Sequence, residues 1–134
     1  MRRQPQFTRA ERLQHLMLDE VSRIVGGELR SPITAHVHVT HVRLSGDLAH
    51  LRVRYVIEGS DEPSEKAAEA LARAAAFVAR SLARGMQLRR VPMVVFTFDD
   101  EFVRLRRIRE LLLQEQAAKE AAGEDEVPDS NESE

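Results

Sequence analysis

The sequence predicts a two-layer α+β sandwich, a three-stranded sheet with helices on one face. Three observations carry that reading. Apolar residues recur at helical spacing from Leu13 to Ile24. They then alternate in two runs separated by Ser45-Gly46-Asp47. An alanine-rich segment follows and passes through Pro92 into the β-branched and aromatic run Met93 to Phe98. The resulting order is helix, strand, strand, helix, strand, helix.

Thr8 and Glu11 have the spacing of a capping box, so the first helix starts there. Leu13, Met17, Val21 and Ile24 form its apolar stripe, and Gly26-Gly27 is expected to end it. The first strand runs from His36 to Leu44. Val37 and Val39 share a phase, and Val42 and Leu44 continue one residue out of step, which predicts a bulge near Thr40-His41. The second strand, Ala49 to Ile57, has Leu51, Val53, Tyr55 and Ile57 facing in and His50, Arg52, Arg54 and Val56 facing out. Ser64 caps a helix from Glu65 to about Ala83 whose inner face is mostly alanine. Phe77, Phe96 and Phe98 are expected in the core. A last helix runs from Glu101 to about Ala122, striped in its first half by Leu105, Ile108, Leu111 and Leu112, and the residues past Gly123 have the composition of a disordered tail. The domain is therefore placed at 1–113 and an acidic extension at 114–134.

The formal net charge of -2 hides a segregation. Residues 110–134 hold nine acids and one base, a net of -8, which leaves +6 on residues 1–109. A cationic body with an anionic tail points to a nucleic-acid partner. All bases but Lys66 and Lys119 are arginine, whose planar fork suits phosphate. Codon bias accounts for that residue type equally well, but not for the segregation. There are no cysteines, so disulfides and thiolate chemistry are excluded. The stretch Met1 to Gln6 leads into no apolar run of a secretory leader, and no segment approaches the roughly 18 apolar residues of a membrane span. The expected setting is the cytoplasm.

No enzyme site assembles. His36, His38, His41 and His50 lie on the hairpin with Asp47 as the nearby acid, and solvated histidines explain them better than a metal site. Asp99, Asp100 and Glu101 read as a cap and first-turn acids of the last helix. Ser45 and Asp47 are explained by turn chemistry, not by a triad. No glycine-rich phosphate loop is present. The expectation is a chain without catalytic residues, metal or cofactor. The basic residues carry more. Residues 73–98 contain five arginines and no acid. Arg73, Arg80 and Arg84 fall at spacings that stack them along one helix side, and Arg89 and Arg90 extend that edge. Arg52 and Arg54 project from the second strand. With few aromatics to stack bases, the pattern suits recognition of backbone and shape.

Three blocks together resemble the ribosome-binding factor A family. They are the first helix with Arg9 and Arg12, the hairpin Val39 to Ala49, and Phe77 to Leu82 continuing through Met86-Gln87-Leu88-Arg89-Arg90-Val91-Pro92 to Phe98-Asp99. They span residues 9 to about 113. The resemblance implies a KH-like fold of the second type, order αββααβ plus a C-terminal helix, in which a helix-kink-helix replaces the KH glycine loop. The matching position here is Ala74-Ala75-Ala76, so Ala76 stands where the family has its kink glycine. Asp99 matches the family's aspartate, and Glu101 stands where a serine is often found. The resemblance further implies a non-catalytic factor that binds the immature small ribosomal subunit and its rRNA. It implies late rRNA maturation, a role in growth in the cold, and possible release by an assembly GTPase. RNA contacts are expected from Arg80, Arg84, Arg89 and Arg90 first and from Arg52 and Arg54 second, in a monomer with no membrane association. The alternative is a protein-interaction module that docks through the last helix or acidic tail. A small α+β hydrolase lacks an acid/base pair.

Overall fold

Thr8 opens the first helix as its spacing requires. In a computed structural model of the chain, which describes residues 8–132 with side chains through 123, the Thr8 hydroxyl accepts from the Glu11 amide. Glu11 returns the bond to the Thr8 amide at 2.8 Å. Helix α1 spans Arg9–Gly27. Strands β1, Val37–Leu44, and β2, His50–Ile57, follow a short 3-10 turn at Thr34–His36. Helix α2 is Glu65–Met86, strand β3 is Met93–Phe98, and helix α3 is Asp100–Glu132. The chain divides into two compact units, Met1–Asp99 and Asp100–Glu134. Residues 1–7, where no secretory leader was expected, lie outside the described residues.

The sheet order is β1-β2-β3, antiparallel in the first pair and parallel in the second. The expected bulge is present: the register shifts between Val39 and His41. Beyond it Val42 lies opposite Val53 and points into the core. Both helices of the first unit cover the same sheet face. Met17, Val21 and Ile24 from α1 meet Leu71, Val78 and Leu82 from α2 over Leu51, Val53 and Tyr55. All nine are at most 2% exposed. Phe96 and Phe98 set their rings edge-on to Tyr55, with centroids 6.3 and 5.8 Å away. Burial pushes the Tyr55 phenol up from its ordinary pKa.

The structure corrects the sequence reading at several points. Gly26 and Gly27 sit inside the last turn of α1, and Glu28 closes it with a right-handed backbone. Helix α2 is a single helix through Ala76, where the resemblance implies two. Alanine is about 1 kcal/mol better than glycine inside a helix, so exchanging the kink glycine removes the local reason to break. Helix α2 runs past Gly85 and is closed by Gln87, at φ 55. In the hairpin turn the left-handed residue is Leu48, at φ 63. Val56, expected outside, is 4% exposed, so pointing away from the helices does not place it in water. Phe77, expected in the core, is 37% exposed. Helix α3 continues past Gly123, where disorder was expected. Alanine, glutamine and glutamate through Ala122 favour helix locally. Leu105, Ile108, Leu111 and Leu112 on α3 are all at least half exposed, so their stripe is not a core.

Candidate nucleic-acid interface

The arginines divide into three places. On α2, Arg73, Arg80 and Arg84 lie along the side turned away from the core, and all three are exposed. Arg80 lines a groove of about 640 Å³ between α2 and the entry of β3. Small side chains, Ala72, Ala75, Ala76 and Ala79, form its helical wall, and His50, Pro92 and Met93 form its strand wall. Alanine leaves backbone accessible there, which is why helix and edge strand can frame a trough. Arg89 and Arg90 sit in the loop between α2 and β3. They line a second cavity, of about 560 Å³, which also reaches Pro92. Arg80, Arg89 and Arg90 thus gather around the proline that starts β3.

Arg84 belongs to a different environment. Helix α1 brings two acids to the same end of α2. Glu20 lies so close that a Cβ on Gly85 would meet its carboxylate oxygen at 2.6 Å. Arg23 bridges Glu20 at 2.6 Å and Glu28 at 2.9 Å. The buried Ser81 hydroxyl donates to Glu28 at 2.8 Å. That bond and the Arg23 guanidinium hold the Glu28 carboxyl below its ordinary pKa, with Arg84 adding a smaller attraction. So the stretch is acid-free along the chain but not in space.

Arg52 and Arg54 lie on the sheet face opposite the helices, so the structure does not join them to Arg80, Arg89 and Arg90. Arg52 stands directly across from Arg43, a residue that sequence reasoning passed over. Like charges in directly opposed positions destabilise a strand pair. The hairpin turn sets this pairing, on the turn side of the bulge. Arg54 is 3.9 Å from Asp99. Asp99 is buried, accepts from the Thr40 hydroxyl at 2.6 Å, and its amide donates to the Tyr55 carbonyl at 2.8 Å. The bulge residue, the central strand and the end of β3 are thereby joined through one carboxylate. Sequence reasoning gave Asp99 only a capping role, because Thr40 is 59 positions away.

The histidines form no metal site: among the described residues, no group of three or more His, Cys, Asp or Glu could hold a metal ion. His38 and His36 instead approach Glu58, at 3.3 and 3.7 Å, and hold its carboxyl below the ordinary value, His38 most strongly. Glu58 is the acid that His36 and His38 meet, while Asp47 lies near His50. Asp47 accepts from the Ser45 hydroxyl at 2.7 Å and the Ala49 amide at 3.1 Å, which lowers its pKa and accounts for both turn residues. Among the described residues no helix is long and apolar enough to cross a membrane.

A KH-like α+β domain with arginines on both its helical and its sheet faces is the class of protein that this arrangement defines. The ribosome-binding factor A family model matches residues 9–112, and the chain belongs to that family. Ribosome-binding factor A of Thermomicrobium roseum is 34% identical over 124 residues, covering 91% of this chain and 96% of that relative. The Thioalkalivibrio sulfidiphilus protein is 37% identical over 94 residues, covering 70% and 73%. The crystal structure of ribosome-binding factor A from Thermus thermophilus matches with a TM-score of 0.60 at 27% identity, over 67% of this chain and 96% of that one. A Thermus thermophilus homology model, fitted into a cryo-EM map of a complex with the 30S subunit, matches with a TM-score of 0.51 at 27% identity. It covers 63% of this chain and 89% of that one.

Proposed function

We propose that this protein is a non-catalytic assembly factor that binds immature small ribosomal subunits and promotes late maturation of their rRNA. The observation that carries the reading is the gathering of Arg80, Arg89 and Arg90 around Pro92, on a chain of this family. Their guanidinium groups hold phosphates of folded rRNA, and the protein occupies its site until the RNA reaches its mature shape. Arg84 contributes less than the other three because Glu28 draws on its charge. Arg52 and Arg54, joined by Arg43, form a separate contact on the sheet face. The fitted 30S complex of the Thermus thermophilus relative supports the choice of subunit. Residues 1–113 are the binding domain and 114–134 its extension. Cytoplasmic location, monomeric state, release by an assembly GTPase and a role in cold growth belong to the same reading.

Co-sedimentation with small and large subunits at low and high salt tests it. Binding to the small subunit alone, falling steeply with salt, is the expected result. Arg89→Glu with Arg90→Glu should reduce the slope of log affinity against log salt by about 2, at ~0.9 for each lost phosphate contact. Binding that ignores both salt and this double reversal would refute the phosphate mechanism. Exposed Leu105, Leu111 and Leu112 on α3 favour one second reading, a module that docks on a protein. Removal of residues 114–134 addresses the tail version of it: binding survives or tightens on the RNA reading and vanishes on the other.

A further inference from the structure

We infer that the cavity beneath Arg89 and Arg90 receives one unpaired RNA base while the two arginines hold its flanking phosphates. The inference rests on the RNA-binding reading above and adds a specific occupant to it. The cavity lies where α1, the hairpin turn and the loop after α2 meet. Its floor is apolar, from Leu13, Met17, Leu44 and Leu88, and its volume of about 560 Å³ is in the range of small-ligand clefts, roughly 300–1,000 Å³. Nucleobases taken out of a stack are held between apolar or aromatic side chains, because a base presents an apolar face. Arg89 and Arg90 are exposed at the rim, and neither forms an ion pair among the described residues. An apolar floor under a cationic rim complements a nucleotide, not a purely apolar segment.

The backbone supplies an independent observation. Among the described residues, two that are not glycine adopt positive φ, Leu48 at 63° and Gln87 at 55°. Both line this cavity. Left-handed backbone is costly for an L-residue, and such conformations gather at functional sites. Gln87 is explained by capping, since its amide donates to the Ala83 and Arg84 carbonyls. Leu48 is not. The turn needs only its amide, which donates to the Ser45 carbonyl at 2.9 Å, and glycine or asparagine would serve better. The chain instead holds a leucine there, 54% exposed, at the cavity. Asp47 also lines it, and the Ser45 and Ala49 bonds favour its charged form. A carboxylate repels phosphate and accepts from an exocyclic amine. The cavity therefore has polarity, with the base edge toward Asp47 and the phosphates toward Arg89 and Arg90.

The test uses the full chain and two RNA hairpins, one with a single unpaired adenosine in its stem and one abasic at that position. The expected result is about tenfold tighter binding of the adenosine hairpin, the size of one buried base contact. Leu48→Gly relieves the left-handed backbone, so its thermal stability should be kept or raised. The tenfold preference should nevertheless vanish, with the salt dependence unchanged. Equal affinity of the wild-type chain for both hairpins would overturn the base site and leave the phosphate reading intact. A preference that survives Leu48→Gly would also overturn it. No RNA binding at low salt would overturn both readings. If Leu48→Gly weakens binding to small subunits but not to the hairpins, the cavity belongs to a protein segment and the inference falls.

Discussion

The two basic faces of the first unit are built on opposite plans. On the helical face, arginines are set against acids brought from another element. Glu20 and Glu28 of α1 flank Arg23 and reach the Arg84 end of α2. On the sheet face, Arg52 faces Arg43 directly, and the buried Asp99 accepts from Thr40 and lies 3.9 Å from Arg54. The first plan favours stability, and Arg80, Arg89 and Arg90 form no ion pair among the described residues. The second accepts repulsion within the free protein. Repulsion of this kind is relieved when an anion arrives, so a face that is poorly arranged alone is well arranged for a polyanion. The contrast shows that counting arginines along a chain says little about which are available. The acids that neutralise them lie in distant segments.

The comparison can be broken most severely at Asp99. Asp99→Ala leaves the Thr40 hydroxyl without its acceptor in a part-buried site, a loss of about 2 kcal/mol in denaturant unfolding. If the sheet face owes nothing to this carboxylate, the variant will unfold like the wild type. The helical face is tested by Ser81→Ala, which removes the donor to Glu28 and should cost about 1 kcal/mol. The same contact has a pH signature. Glu28 has a folded pKa below its ordinary value, so its contribution is complete above the usual carboxylate range and is lost as pH falls through the lower folded value. Glu28→Gln should therefore lower the melting temperature at neutral pH and lose that difference in acid. The smallest effect has the opposite sign. Arg52→Thr removes the repulsion with Arg43 and should raise stability by about 0.5 kcal/mol while weakening binding to small subunits. A variant that is both less stable and equally well bound would erase the distinction between the faces.

Local signals were readable from sequence wherever one segment decides the outcome. The Thr8 and Glu11 capping box, the Ser64 cap, the alternation of β2 and even the bulge after Val39 follow from residues a few positions apart. What failed depends on distance in space. Phe77 has the chemistry of a core residue, but it is 37% exposed on α2. Arg54 and Asp99 meet only because parallel pairing brings the end of β3 beside the end of β2. Arg80, Arg89 and Arg90 were legible as a basic cluster, since one helix and one loop carry them. The cavity below them was not, because its walls come from three elements. Left-handed Leu48 gave no warning either, as leucine is the wrong residue to expect there.

The mixed sheet also sets an order of assembly. Strands β1 and β2 are joined by a short turn and pair antiparallel, so they find each other with little loop entropy. Strand β3 pairs with β2 only after the whole of α2 has been laid between them, as His50 opposite Met93 shows. Such long-range parallel pairing is slow relative to a hairpin. During synthesis or refolding the hairpin and helices can therefore exist before the third strand docks. The corner that holds Arg89, Arg90 and Pro92 is completed by that last docking. A partly folded chain accordingly lacks the arginine seam.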